Sequence, residues 1–190
     1  MQATATIAKW QNNAKAAFAL YYDDGCFSTL KTAVPCLRKY DIPGTFYLCT
    51  GWYKDKPAEL DNWLAQVDEK IVFIGNHTVA HCGVQSYENA KEELCNNDAV
   101  LREKLGYSPQ KMLSYGRPGG CCWKITDEEE KEILDSIHSI RREHEKADGS
   151  EYAGALSVKT FEDARNALDA IEAAGNNDYI VFHGIGGDWF

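Results

Sequence analysis

The sequence has little of what a nucleic-acid-binding or membrane-spanning protein needs. Its 190 residues carry only 20 Lys and Arg against 29 Asp and Glu, a formal net charge of −9, which leaves few cations for a phosphate backbone or an anionic lipid surface. No apolar run approaches the ~20 residues of a membrane-spanning helix. The first residues lack a basic region followed by an apolar one, so no secretory signal is expected there. These absences predict no nucleic-acid partner and no membrane span.

Paired cysteine motifs are also missing. No Cys-x-x-Cys pair occurs, so the sequence gives no support for a zinc ribbon or a thioredoxin-like site. An odd number of cysteines leaves at least one thiol unpaired within the chain, and most are expected to act as small buried apolar groups. Disulfides stay open as an alternative if the protein is exported. The seven are Cys26, Cys36, Cys49, Cys82, Cys95, Cys121 and Cys122.

What the chain does contain is a regular alternation of short apolar runs and amphipathic segments. Short apolar runs predict buried strands, and the longer periodic segments between them predict helices. Strands that alternate with helices favour a parallel α/β arrangement, either an open sheet or a barrel, and the length fits one domain over residues 1–190. The predicted strands lie at about 16–22, 45–49, 71–75, 112–115, 136–141, 155–158 and 178–183, and the predicted helices at about 28–40, 57–67, 86–105, 126–134 and 161–174.

Unusual polar residues follow several of these strands. Asp23 and Asp24 end the first strand before Gly25, and two adjacent carboxylates need a cation or a shared proton nearby. His77 and His81, which follow the third strand, are four residues apart and can share a metal from one helical turn. Because the carboxyl ends of parallel strands share one face, Asp24 and the two histidines predict a three-ligand metal site with an open position, as in catalytic zinc sites.

Other residues at strand ends are candidates for the remaining chemical roles. Asp23, next to the proposed ligand Asp24, is placed to act as a general base, and His183 after the last strand as a general acid. Gly119 and Gly120 offer backbone N–H groups to an oxyanion. Arg117 is expected to orient Asp23 and keep it ionised.

The order of these motifs resembles the polysaccharide deacetylases of the NodB-homology type, carbohydrate esterase family four. The resemblance rests on Asp23-Asp24-Gly25, on Asn76-His77-Thr78-Val79-Ala80-His81, on Arg117-Pro118-Gly119-Gly120 and on Ile180-Val181-Phe182-His183. It covers about residues 15–187, and the segment around the two histidines is its most specific part.

The resemblance implies a distorted (β/α)7-type barrel and a metal-dependent hydrolase that removes acetyl groups from sugars. By position, Asp23 would be the catalytic base and His183 the catalytic acid. Asp24, His77 and His81 would hold the metal, usually zinc in this family, with cobalt and nickel as alternatives. The resemblance also implies an extracytoplasmic location, and it leaves the oligomeric state open.

Two of the family's motifs are altered. The third motif is one residue short, and if Pro118 matches its second proline, Gly116 takes the place of the arginine. The fourth motif is not visible, and Arg141 or Arg142 is expected in its place. Trp123 or Trp189 is expected to supply the aromatic wall for substrate. Ile180, the apolar residue of the last motif, is a further substrate-binding candidate.

The expected partner is an acetylated oligosaccharide or polysaccharide, most readily one that contains N-acetylglucosamine, as in chitin or peptidoglycan. An O-acetyl esterase acting on xylan would use the same residues. The altered third and missing fourth motifs also allow a catalytically inactive module that binds sugar or metal. A third alternative is an amidase for a small non-sugar substrate, which would need a narrow closed pocket.

Overall fold

The structure, a computed structural model, describes residues 13–142, 160–175 and 177–185. The predicted strand at 155–158 and Trp189 lie outside these ranges. Within them the chain alternates strands and helices as expected, and none of the described helices is long and apolar enough to cross a membrane. The elements are β1 (Ala17–Tyr22), α1 (Val34–Tyr40), β2 (Gly44–Leu48), α2 (Pro57–Leu64), β3 (Val72–Asn76), α3 (Tyr87–Leu105), β4 (Leu113–Tyr115), α4 (Asp127–Ser136), β5 (Ser139–Arg141), α5 (Phe161–Ala174) and β6 (Asn177–Phe182).

The six described strands form one parallel sheet in the order β5-β4-β3-β2-β1-β6. The sheet curls into a half-barrel with helices against it, which confirms the predicted distorted α/β barrel in a single domain. Each return from one parallel strand to the next needs a crossover, and the helices supply these connections. All carboxyl ends of the strands therefore meet at one edge, where the sequence places its unusual polar residues.

Helix boundaries follow the sequence signals. The Thr126 hydroxyl caps α4 by accepting a hydrogen bond from the Glu129 backbone N–H, and the Glu129 carboxylate accepts one from the Thr126 backbone N–H, which is the predicted capping box. The segment before α1 is a π-helical turn, and Pro35 lies in the first turn of the regular helix, where its missing N–H costs nothing. Strand β5 is shorter than predicted because α4 continues to Ser136 and His138 turns the chain at a φ of 50°.

The main core lies between the middle of the sheet and the helices that follow β1 and β2. Trp63 of α2 is its largest fully buried side chain, and its ring centroid lies 5.3 Å from that of Phe46 in β2. Tyr22 of β1 stacks on Phe46 at 4.6 Å. All seven cysteines lie within the described residues, and none of them forms a disulfide.

Candidate metal centre

Three side chains from two strand ends meet at the carboxyl edge of the sheet. The Asp24 Oδ1 atom lies 3.3 Å from the His77 Nε2 atom and 3.3 Å from the His81 Nε2 atom. One ligand atom from each residue lies within 4.8 Å of the other two. Two ligands of a tetrahedral ion with bonds near 2.1 Å are separated by about 3.4 Å. The three predicted ligand residues therefore have the spacing of a metal site.

The hydrogen bonding of His77 indicates that this site suits a cation. Its Nδ1 atom lies 2.7 Å from the Gly116 carbonyl oxygen, and because a carbonyl only accepts, Nδ1 carries the proton and Nε2 presents a lone pair. That Nε2 atom is buried and has no hydrogen-bond partner among the described residues. A buried polar atom without a partner is costly, and a metal ion would satisfy it while the carbonyl fixes the ring from behind.

His81 forms the more open side of the site. Its side chain is 23% exposed, whereas those of His77 and Asp24 are almost fully buried. The Cys121 thiol donates to the His81 backbone oxygen at 3.4 Å and lies 3.9 Å from its Nδ1 atom. A second thiol, Cys49, donates to the His77 carbonyl at 3.1 Å. Burial is the main reason that the pKa of the Cys49 thiol lies well above its usual value, and the negative charge of Asp24 raises it further. The thiol therefore stays neutral.

Left-handed backbone conformations occur at two of the ligand residues, Asp24 and His81, and at Thr78 between the two histidines. Asp24 has a φ of 72°, Thr78 of 69° and His81 of 53°, a region that non-glycine residues enter only at a cost. The turn after Asp24 is fixed by the Gly25 carbonyl, which accepts hydrogen bonds from the Tyr53 hydroxyl at 2.7 Å and from the indole N–H of α2 at 3.0 Å. Local strain of this kind clusters at functional sites when the surrounding structure holds it in place.

A buried pair of asparagines holds the histidine segment. The Asn76 Oδ1 atom accepts from the Thr78 backbone N–H at 2.8 Å, while its amide donates to the α3 backbone. Asn97 of α3 donates to the same Oδ1 atom at 2.8 Å, and its own oxygen accepts from Thr50 after β2. Both asparagines are fully buried. The network ties the segment that carries His77 and His81 to β2 and α3, which preorganises the ligands.

Asp23 lies beside the three ligands, paired with an arginine. The Arg142 Nη1 atom donates to Asp23 Oδ1 at 2.6 Å and Nη2 donates to Oδ2 at 2.9 Å. Both residues are buried, and the guanidinium lies 4.8 Å from the ring centroid of Tyr47. A bidentate arginine fixes the orientation of a carboxylate through two parallel hydrogen bonds. Asp23 is thus held as an acceptor, 3.8 Å from His77 Nε2.

This arrangement corrects the expectation that Arg117 orients Asp23. The Arg117 Nε and Nη1 atoms instead lie 3.6 Å from Glu130 and from Asp127, respectively. Arg142, one of two residues considered for the missing fourth motif, takes the position beside Asp23. A side chain at Gly116 would place its Cβ atom 2.9 Å from Arg142 Nη1. The guanidinium therefore fills space that a side chain at position 116 would need.

The aromatic candidate Trp123 is tied to the core. Its ring lies 4.8 Å from the Arg117 guanidinium and 6.4 Å from the Tyr115 ring centroid, and its backbone bridges to Val84. Trp123 is half-buried, so its role as a substrate wall stays a prediction. Gly119 and Gly120 lie in an exposed turn, where no other atoms come within 4 Å of an added Cβ, and their role also stays a prediction.

The last strand brings His183 to the same edge. The Asp23 backbone N–H donates to the Phe182 carbonyl at 2.8 Å, so the residue after Phe182 begins beside the end of β1. His183 is partly buried, and its role as the acid stays a prediction. Ile180 lies inside β6 in register with Leu20 and is buried. That position leaves Ile180 little surface for a substrate, contrary to its expected part in binding.

The family model for polysaccharide deacetylases matches residues 11–142, which is more than half of the chain. The chain therefore belongs to the polysaccharide deacetylase family. The matched region includes the three candidate ligands and Asp23 and ends at Arg142, while His183 lies beyond it. No curated protein matches the chain in sequence.

Solved structures of family four carbohydrate esterases share the fold. A pseudoenzyme of this family from Bacillus anthracis has a TM-score of 0.60 at 16% identity, over 92% of this chain and 56% of its own. Peptidoglycan deacetylase PdaC from Bacillus subtilis has a TM-score of 0.56 at 18% identity, and the match covers 91% of this chain and 77% of PdaC. The Xyl-CE4 domain of a multidomain xylanase from the hindgut metagenome of Trinervitermes trinervoides has a TM-score of 0.60 at 20% identity. This match covers 93% of this chain and 77% of the Xyl-CE4 chain. The chain spans little more than half the length of the pseudoenzyme.

Proposed function

We propose that this chain is a metal-dependent deacetylase that acts on an acetylated carbohydrate. The observation that carries the proposal is the cluster of Asp24, His77 and His81 next to a buried, arginine-held Asp23. Two imidazoles and one carboxylate suit zinc, with cobalt or nickel as alternatives. When bound, such an ion would act as a Lewis acid and lower the pKa of a coordinated water.

The chain's own residues supply the proton transfers. Asp23, oriented by Arg142, accepts a proton from the water that adds to the acetyl carbonyl carbon. His183 donates a proton to the departing amine or alkoxide as its bond to the acetyl carbon breaks. A backbone N–H near Gly119 stabilises the oxyanion that forms in between. The products are acetate and the free sugar amine or hydroxyl.

We propose an N-acetylglucosamine-containing polymer as the substrate class. The fold is shared with a peptidoglycan deacetylase, which supports an N-acetyl substrate, and with a xylanase-associated domain, which supports O-acetyl xylan as the alternative. A catalytically inactive module is a further candidate, because a pseudoenzyme shares the fold and the fourth motif of the family is altered here.

Metal analysis of the purified protein and an acetate-release assay test these proposals together. We expect about one divalent ion per chain and acetate release from fragments of chitin, peptidoglycan or acetylated xylan. A chelator should abolish release, and zinc should restore it. His77→Ala should lose both metal and turnover, because it removes the ligand whose Nε2 is otherwise unsatisfied.

The outcomes separate the candidates. Tight metal binding without acetate release from any of the three substrates would support the inactive module. Release that a chelator does not affect would contradict the metal-dependent reaction. Release from a small amide but from no sugar would favour the amidase.

A further inference from the structure

An exposed tryptophan stands directly beside one of the candidate metal ligands. Trp52 lies in the 3-10 turn Thr50–Tyr53, which follows β2 at the carboxyl edge of the sheet. Its ring centroid lies 5.7 Å from that of His81, with 39° between the two ring planes. Trp52 is 36% exposed, although large aromatic side chains are usually well buried. A large apolar face therefore borders the open side of the site.

Hydrogen bonds hold this ring in position. The Trp52 indole N–H donates to the Ala80 carbonyl at 3.2 Å, and the Gly51 backbone N–H donates to the Val79 carbonyl at 2.8 Å. The close approach requires glycine, because a Cβ at position 51 would lie 2.5 Å from the Val79 oxygen. The turn after β2 and the segment that carries His81 therefore form one unit, and the indole is preorganised next to the ligand.

The other two tryptophans that the structure describes offer less exposed ring surface. Trp63 is fully buried in the core, and Trp123 is half-buried between Arg117 and Tyr115. The turn after β4 carries Gly119 and Gly120, which have no side chain for a sugar to stack on. Among the described tryptophans, Trp52 thus combines an exposed ring with a position at the site.

We propose that the Trp52 indole is a stacking surface for a pyranose ring of the acetylated substrate. A pyranose presents an apolar face of C–H groups, which packs on an aromatic plane while its hydroxyl groups remain in water. A ring already fixed by its indole N–H gains this contact with little loss of conformational freedom. The inference rests on the proposed carbohydrate deacetylase function. In it, Trp52 binds the sugar unit next to the reacting acetyl group.

Direct binding tests the proposal independently of turnover. Calorimetry would measure the affinity of the zinc-loaded protein for penta-N-acetylchitopentaose and for acetylated xylopentaose. We expect Trp52→Ala to weaken binding of the preferred oligosaccharide about three- to tenfold, the size of a favourable aromatic contact. Trp52→Phe should restore affinity to within about twofold, because it keeps a flat apolar face.

Tyr40→Ala is the matched control. Tyr40 is an aromatic residue that is 60% exposed at the end of α1, near the start of β2 and so at the opposite edge of the sheet. This variant should bind the oligosaccharide as the parent does. In a turnover assay, Trp52→Ala should raise KM for the oligosaccharide more than KM for a small acetyl ester, since the ester has no pyranose to stack.

Three results would overturn the inference. Unchanged oligosaccharide affinity in Trp52→Ala would exclude a stacking contact. Weaker zinc binding with unchanged oligosaccharide affinity would limit Trp52 to shielding His81. A parent protein that binds neither oligosaccharide at millimolar concentration would exclude a sugar subsite. Oligosaccharide binding that depends on Trp52 but comes without acetate release would instead contradict the deacetylase function alone.

Discussion

Arg141 and Arg142 are consecutive residues, and each pairs with a buried carboxylate. Arg142 donates twice to Asp23, and Arg141 donates to Glu130 of α4 at 2.8 Å. Consecutive residues along a strand project to opposite faces of a sheet. The end of β5 therefore sends one guanidinium toward the candidate site and the other toward a surface helix. The two ion pairs have the same chemistry in different surroundings.

The surroundings decide what each pair can do. Glu130 also accepts a hydrogen bond from the Tyr115 hydroxyl at 3.4 Å and has Arg117 nearby, so both of its carboxylate oxygens have partners. Asp23 lies 3.8 Å from the His77 Nε2 atom, which has no hydrogen-bond partner among the described residues. A buried ion pair alone is weak evidence for function. The adjacent unsatisfied ligand atom distinguishes the Asp23 pair.

The largest expected difference between the two pairs follows loss of the carboxylate charge. Asp23→Asn should lower acetate release by about 10²–10⁴-fold, the usual contribution of a general base, while zinc content stays near that of the parent. Glu130→Gln should keep kcat within about twofold but lower the free energy of unfolding by about 3 kcal/mol, because it removes the buried charge partner of Arg141, which keeps a contact with the exposed Asp127 at 3.2 Å. Acetate release, metal analysis and denaturant unfolding measure the three quantities.

Full activity in Asp23→Asn would contradict its assignment as the base. A loss of turnover in Glu130→Gln equal to that in Asp23→Asn, with the variant still folded, would remove the distinction between the two pairs.

The arginines themselves give the next largest contrast. Arg142→Ala should lower kcat by about 10–100-fold, as removal of an orienting partner typically does. Arg142→Lys should restore only part of this, because an ammonium cannot form the two parallel hydrogen bonds of a guanidinium. Arg141→Ala should reduce thermal stability with kcat nearly unchanged. Activity is compared at a temperature where circular dichroism shows all variants folded.

Equal kcat losses in the Arg141 and Arg142 variants would mean that β5 acts on the site through its general stability. Full kcat in Arg142→Ala would mean that Asp23 needs no guanidinium to act.

The sheet and the metal ligands were predictable because their signals are local. Alternating apolar and amphipathic segments specify parallel strands joined by helices, and parallel strands place their carboxyl ends at one edge. Given that edge, an Asp at the end of β1 and two histidines four residues apart after β3 are expected to meet. The distances of 3.3 Å from Asp24 to each histidine fit this expectation.

The arginine partner of Asp23 was not predictable in the same way. Arg142 is 119 residues away from Asp23 along the chain, and no periodicity or spacing links the two. Arg117 was the more attractive candidate because it adjoins the Pro-Gly turn after β4. The sequence held one signal, a glycine at position 116 together with an arginine at the end of the fifth strand. Only the packed structure shows that the absence of a side chain at Gly116 makes room for the Arg142 guanidinium.

A smaller effect is expected when that room is reduced. Gly116→Ala would place a methyl group 2.9 Å from Arg142 Nη1 and 3.1 Å from the Tyr47 ring, closer than side-chain atoms pack. The guanidinium should move away from Asp23, and kcat should fall several-fold, less than in Arg142→Ala. The double variant should be no slower than Arg142→Ala alone, since both changes act on one contact. Additive losses of kcat would mean that Gly116 acts through another contact, such as the hydrogen bond that its carbonyl oxygen accepts from His77 Nδ1.

The smallest expected effect is that of Arg117→Ala. Its two carboxylate contacts are long, at 3.6 Å, and Asp127 is exposed, so its loss should cost about 1 kcal/mol or less of unfolding free energy. Because Arg117 contacts Glu130 and Trp123 rather than Asp23, kcat should stay within about twofold of the parent value. Parallel measurement with Arg142→Ala makes the comparison direct. If Arg117→Ala lost as much turnover as Arg142→Ala, Arg117 would act on Asp23 in the working enzyme. The distinction between the Asp23 and Glu130 ion pairs would then be wrong.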